Sequence, residues 1–313
     1  MGASSLRTDR PERSASERVP PRRRGLRGRS RLAFAAPGIA VLAVFSIYPI
    51  YLLLKMSVSE VSTGTLNQAW PFVGLQNYAS LFQGPSVAPA ALDTALFVAI
   101  VTFIGIIGGL GVAMVVRSSR PASSILLGMM VFIWALPPVV NGSIWKFLLA
   151  DDGLVNGVLR GLGIAPQGLP FLYDPHLALL SVAAVNAWAV IPFNALVFRA
   201  ALLNIDPEVL EAASLDGTSK PQEIWYVLIP AARPTAVILA ILTVVYAFRS
   251  FDFIYVMTAG GPGTSTTTLP FLSYSQAFIE HDYGLGSATG VIALVIVAVL
   301  ALVYVRSVRR ENQ

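Results

Sequence analysis

Residues 211–230 read EAASLDGTSKPQEIWYVLIP, a stretch carrying Glu211, Asp216, Lys220 and Glu223 between long apolar runs. Its caps can be read one by one. Just upstream, Asp206 can accept from the free N–H groups that open a helix, and Pro207 suits the first helical position, where its missing N–H removes nothing. The helix that follows ends at Gly217, a residue able to take the left-handed conformation just past a helix end. Ser219 and Gln222 have the spacing of a capping box, which starts a second helix. The spacing therefore predicts two short helices joined by a sharp turn. They would expose Glu208, Glu211 and Asp216 and offer Val209, Leu210, Ala212, Ala213 and Leu215 as apolar contacts.

What surrounds this element decides the fold class. The chain has 313 residues, 55% hydrophobic and only 12% charged, with mean hydropathy +0.67. Soluble domains carry about 25% charged residues, so the solvent for most of this chain is lipid. Crossing a hydrocarbon layer takes about 20 apolar residues at a rise of 1.5 Å each. Windows of that kind predict spans at 32–54, 94–116, 121–145, 177–198, 234–248 and 285–305. The expected fold is an all-α polytopic membrane protein with six transmembrane helices within residues 32–306. A disordered basic tail covers 1–31, a polar loop 199–233, and a short tail 307–313.

Charge placement tests the parity of that count. Ten of the 22 basic residues fall in the first 31 positions, directly before an apolar run. With the N-terminus inside, the inside segments hold 18 basic residues and the outside segments hold Lys55, Lys146, Arg160 and Arg249. That bias follows the positive-inside rule, so both termini are expected on the cytoplasmic side. The net charge of +5 thus belongs to a membrane anchor, and nucleic acid is not an expected partner. The first apolar run is longer than the 7–15 residues of a cleaved signal core, so it is expected to remain as a span. Cysteine is absent, and His176 and His281 have no second ligand at metal spacing, so no metal site is expected.

An amphipathic helix lying on headgroups normally carries a Lys/Arg-rich polar face. Between residues 200 and 219 there is no basic residue, and Asp206, Glu208, Glu211 and Asp216 are acidic. Such a helix suits a protein groove with cationic lining better than an anionic leaflet.

At this point a resemblance becomes visible. EAASLDG, nine further residues and then VLIP resembles the EAA loop of binding-protein-dependent ABC importer permeases. Glu211, Ala212, Ala213, Gly217 and Pro230 match that pattern outright, while Val227 and Ile229 exchange one aliphatic group for another. FVGLQNYASLF (72–82), DGLVNGVLRGLGI (152–164) and FRSFDFIYVMTAGGPGTSTTTL (248–269) resemble further stretches of the MalF/UgpA-type carbohydrate permeases. The resemblance covers residues 32–306 and implies the MetI-like, type I permease fold in a bacterial cytoplasmic membrane. It implies that the loop helix docks on an ATPase, with Glu211, Ala212, Ala213, Asp216 and Gly217 as coupling residues. The implied partners are a second homologous permease subunit in a heterodimer, two copies of an ABC ATPase, an extracytoplasmic sugar-binding protein or lipoprotein, and lipid. No cofactor is expected on this chain; ATP and Mg belong to the ATPase.

A translocated sugar needs aromatic faces, hydroxyls and amides turned toward a path. Thr243, Tyr246, Ala247 and Ser250 recur at helical spacing on one face, and Asp252 stands three residues from Arg249, close enough to pair. In the preceding span Asn186, Val190 and Phe193 share a face, with Trp188 and Asn194 nearby; Asn141 and Trp145 are a further pair. Candidate path residues are therefore Asn186, Trp188, Phe193, Thr243, Tyr246, Ser250 and Asp252. The resemblance places the family's sugar-lining positions in the same two spans. The competing reading is that these side chains hold spans together.

Enzyme chemistry is not expected, because GGPGTSTT (260–267) lacks the lysine of a phosphate loop and no nucleophile–base set is present. A stand-alone secondary transporter would show inverted repeats, and it would leave the acidic loop unexplained. Phosphate would require clustered cations, and only Arg249 is available in these spans. A neutral di- or oligosaccharide is therefore the expected cargo, with glycerol-3-phosphate or a phosphodiester as the alternative.

Overall fold

The computed structural model describes residues 27–117 and 121–311. The chain divides into two compact units, residues 1–50 and 51–313. Among the described residues the first unit holds only the N-terminal part of α1 (Arg27–Ser57), and the second holds everything else. Secondary structure is helical throughout, apart from the isolated bridges Ser59–Phe72 and Ser62–Asp282 among the described residues.

Several spans extend beyond their apolar windows. α1 starts at Arg27, inside the segment expected to be a disordered tail. Arginine is a good helix former, and a helix already nucleated by an apolar span extends through it at little cost. The rest of the expected tail, residues 1–26, lies outside the described residues, as do 118–120 and 312–313. α3 (Val87–Val116) begins before Asp93 instead of after it. α7 (Pro175–Leu203) opens where Asp174 accepts from the N–H groups of His176 and Leu177. α13 (Tyr283–Glu311) runs past Val305 into the expected C-terminal tail.

Two expected spans differ more deeply. The third is broken into α4 (Pro121–Ala135) and α5 (Pro138–Leu148), which meet at 103°. Leu136 precedes Pro137, and a residue before proline is pushed out of the helical region. Pro137 itself is extended at φ −56°, ψ 137°, and Pro138 then occupies the first turn of α5, where no N–H is needed. The fifth does not start at Pro234. It begins at Lys220 with α9 (Lys220–Glu223), passes through a π-helical turn at Ile224–Leu228 and continues as α10 (Ile229–Arg249). Among the described residues five helices are long and apolar enough to cross a membrane, or six if the bent pair of α4 and α5 counts as one span.

The frame of the second unit is the seam between α3 and α7. A Cβ on Gly109 would come within 2.6 Å of Asn194 Cβ and 3.2 Å of the Ala195 backbone nitrogen, so the two helices approach to a distance that only glycine permits. Phe97, Val101, Val182, Val190 and Ile254 close the core on one side of this seam, and Phe198, Leu202, Leu228 and Leu239 close it on the other.

Short helices cap the end opposite the polar loop: α2 (Gln76–Gln83) and α6 (Leu154–Gly161). Asn77 donates to the carbonyls of Ser57 and Ser59. Asn156, fully buried, donates to those of Ala150 and Leu169 and accepts from the Leu169 N–H. One amide side chain thus satisfies the turn that α6 leaves open. α11 (Asp252–Met257) and α12 (Leu269–Tyr274) follow α10, and Lys146 of α5 donates to the Val256 carbonyl at 3.0 Å.

Candidate functional site

α8 (Pro207–Leu215) forms as its caps dictate. Asp206 Oδ1 accepts from the Glu208 N–H at 3.0 Å, and Gly217 takes φ +77°, which lets the Thr218 N–H reach back to the Ala213 carbonyl at 3.1 Å. The Ser219–Gln222 capping box is formed in both directions. No residue of α8 is buried, and Leu215 is 88% exposed. Glu208, Glu211, Ala212, Asp216 and Gly217 are exposed, and Ala213 is half-buried. Leu210 differs from expectation: it packs inward against the Phe198–Leu202–Leu228 cluster and anchors the helix.

Behind α8 lies a polar recess of about 290 Å³, lined in part by Arg117, Leu210, Glu211, Lys220 and Glu223. Arg117, at the end of α3, pairs with Glu223 at 3.3 Å, and Lys220 pairs with the other oxygen of the same carboxylate at 3.1 Å. Sequence reading missed this link, because Arg117 and Glu223 are more than a hundred positions apart and carry no shared motif.

A second cavity, of about 390 Å³, opens between α4, α5, α7 and α10. Three expected path residues line it: Phe193, Thr243 and Tyr246, with Asn141 opposite. Trp134 lines it too and stacks on Phe193 at 5.8 Å between ring centroids. Trp134 stands seven residues before Asn141, on the helical face already marked by Asn141 and Trp145, and sequence reading did not follow that face back to it. No charged side chain lines this cavity among the described residues.

The remaining candidates lie elsewhere. Asn186 is fully buried and donates through Nδ2 to Ser250 Oγ, while its Oδ1 has no partner. Asn194 and Thr243 face each other at 3.3–3.4 Å. Both pairs fasten α7 to α10. Trp188 packs edge-on against Trp145, with centroids 5.3 Å apart, beside a separate apolar recess. Arg249 and Asp252 do not pair among the described residues: the chain turns extended at Ser250, and Asp252 opens α11 on a new axis.

Residues 102–313 match the family of binding-protein-dependent transport system inner membrane components. The chain is 29% identical to the trehalose/maltose transport system permease protein MalF of Thermococcus litoralis, over 86% of this chain and 90% of that one. It is 30% identical to two Agrobacterium fabrum proteins. One is the sulfoquinovosyl glycerol transport system permease protein SmoG, over 88% and 89% of the two chains. The other is the sn-glycerol-3-phosphate transport system permease protein UgpA, over 88% and 93%. In fold it is similar to a bacterial ABC transporter involved in the import of the acidic polysaccharide alginate, with TM-score 0.76 and 21% identity, covering 91% of this chain and 97% of that one. A bacterial alginate ABC transporter in complex with an alginate pentasaccharide-bound periplasmic protein gives a TM-score of 0.75 and 20% identity over 91% of this chain and 96% of that one. The chain therefore belongs to the binding-protein-dependent ABC importer permeases: it is a multi-pass, non-catalytic subunit of the plasma membrane, with no cofactor of its own.

Proposed function

We propose that this chain forms half of the translocation path of an ATP-driven importer for a neutral di- or oligosaccharide. The observation that carries the reading is the uncharged, aromatic-walled cavity of Trp134, Phe193, Tyr246, Thr243 and Asn141. Aromatic faces take the C–H faces of a sugar, and a few hydroxyl and amide groups recover the hydrogen bonds its hydroxyls lose on leaving water. Named relatives include permeases for both neutral and anionic cargo. A phosphate would seek Arg or Lys, and none lines this cavity among the described residues.

Membership of the family supports the following reading of the rest of the machine. A homologous permease completes the path, an extracytoplasmic binding protein delivers the sugar, and two ATPase subunits bind ATP and Mg. The loop 199–233 lies on the cytoplasmic side with both termini, as the positive-inside bias requires. α8 docks in an ATPase groove through Glu211, Ala212, Ala213, Asp216 and Gly217. A nine-residue helix is marginal alone, so docking supplies the rigidity that lets ATP-driven closure move it as a handle.

The test is ATP hydrolysis by the reconstituted complex, stimulated by its binding protein loaded with trehalose, maltose or glycerol-3-phosphate. Stimulation and uptake with a neutral sugar are expected. Uptake of glycerol-3-phosphate alone would remove the sugar assignment while leaving the importer intact.

A further inference from the structure

The helix that returns from the polar loop to the cavity contains a weak point. At Ile224–Leu228 its hydrogen bonds run five residues back, with the Ile229 N–H on the Ile224 carbonyl. The cause is local. Pro230 and Pro234 have no N–H to give to the carbonyls four residues before them, so the regular ladder is interrupted twice within two turns. π-Helical turns of this kind recur at functional sites and at bends. Trp225 and Tyr226 are 68% and 76% exposed, so side-chain packing holds this turn on one side only, through Ile224 and Leu228.

One contact holds the helix on the loop side of the weak point. Glu223 is the last residue of α9, immediately before the π turn, and its carboxylate is held by Arg117 at the end of α3. The Arg117 and Glu223 side chains are only 25% and 18% exposed, whereas Lys220, the second partner, is 91% exposed and adds little. The end of α3 is itself fixed to α7, because Arg199 Nε donates to the Val116 carbonyl at 2.9 Å. Arg117 thus stands on the glycine-tight α3–α7 frame. Among the described residues, Glu211 of α8 is the one other charged group lining this recess.

Resting on the importer reading, we propose that Arg117 and Glu223 are positioning residues that clasp the loop end of the fifth span to the α3–α7 frame. With the clasp closed, a displacement of α8 reaches Thr243 and Tyr246 as movement of one rigid body. With it open, the displacement is absorbed by bending at Ile224–Leu228, and ATP is hydrolysed without moving the cavity wall.

The experiment compares Glu223→Ala, Arg117→Ala and the exchanged pair Arg117→Glu with Glu223→Arg in the full complex. Sugar moved per ATP hydrolysed should fall about three- to thirty-fold in each single variant, while binding-protein-stimulated hydrolysis stays near wild type. The exchanged pair should restore the ratio. A role in stability alone would lower the yield of complex and leave the ratio untouched. The chain has no cysteine, so spin labels at Leu215→Cys and Val237→Cys read the angle across the turn directly. Their distance distribution should broaden in the single variants and narrow again in the exchanged pair. Ratios and distributions at wild-type values in the single variants, or no recovery on exchange, would overturn the clasp. If the wild-type complex shows no stimulated hydrolysis, the importer reading fails, and the label distances still decide whether the clasp stiffens the turn.

Discussion

The α3–α7 seam and α8 are built on opposite principles. At the seam Gly105 and Gly109 bring two helices into contact along Val190, Asn194 and Ala195. α8 buries no residue, keeps Leu215 and Val209 in the open, and is held to the rest through Leu210 and its caps. The contrast separates frame from handle. Close packing resists displacement because core contacts cannot be stretched gradually, whereas a short capped helix moves with whatever grips it.

Four substitutions test that contrast, beginning with the largest effect. Gly109→Val places a side chain 2.6 Å from Asn194 Cβ and close to backbone. Overpacking costs about 1–3 kcal/mol even where side chains can yield, and here backbone blocks relief. No assembled complex is expected on co-purification, and recovery of normal complex would show that the seam is not the frame.

Glu211→Lys should act differently. The helix itself would survive, since Glu211 is exposed and no ion pair holds it among the described residues. Co-purification of the partner permease should be normal, while ATPase binding weakens about ten-fold or more through like-charge contact. Uptake by purified complexes at wild-type rate would mean that α8 is no handle.

Tyr246→Ala removes an aromatic face and a hydroxyl from the cavity. One neutral hydrogen bond is worth about 0.5–1.5 kcal/mol, and loss of stacking adds to it. Uptake per assembled complex should drop several-fold, by different factors for two sugars. Equal loss for every sugar, in proportion to the complex recovered, would mark the residue as packing.

The smallest effect on transport is expected at Ser250→Ala. It leaves Asn186 Nδ2 without its acceptor, beside an Oδ1 that already lacks a partner, a cost of about 1–3 kcal/mol to stability. Thermal denaturation of the complex should shift downward, with uptake per assembled complex unchanged. A sugar-dependent change in uptake would return Ser250 to the path.

Legibility in the sequence followed the range of the forces involved. Both caps of α8, the turn at Gly217 and the capping box at Ser219 were readable because each joins residues within six positions. The apolar windows were readable because hydrophobic length is a property of the chain alone. The break between α4 and α5 was written there too, as Leu136-Pro137-Pro138, but unbroken hydropathy across it hid the bend. For the cavity, helical spacing singled out Asn186, Thr243, Tyr246 and Ser250 without ordering them. Period alone says which residues share a face, and it does not say whether that face meets a cavity or another helix.

By itself, then, the sequence determined the all-helical, membrane-spanning class, the capped loop and its charge, because these depend on local bonding and on transfer from water to lipid. Tertiary structure alone decided that Asn186 and Ser250 fasten α7 to α10 while Tyr246 stays half-open beside Trp134. It also decided that Arg117 reaches Glu223 across 106 positions. Such pairings depend on the angles at which helices cross and on where a proline turns one aside, and those are set by the packing of the whole set of helices at once.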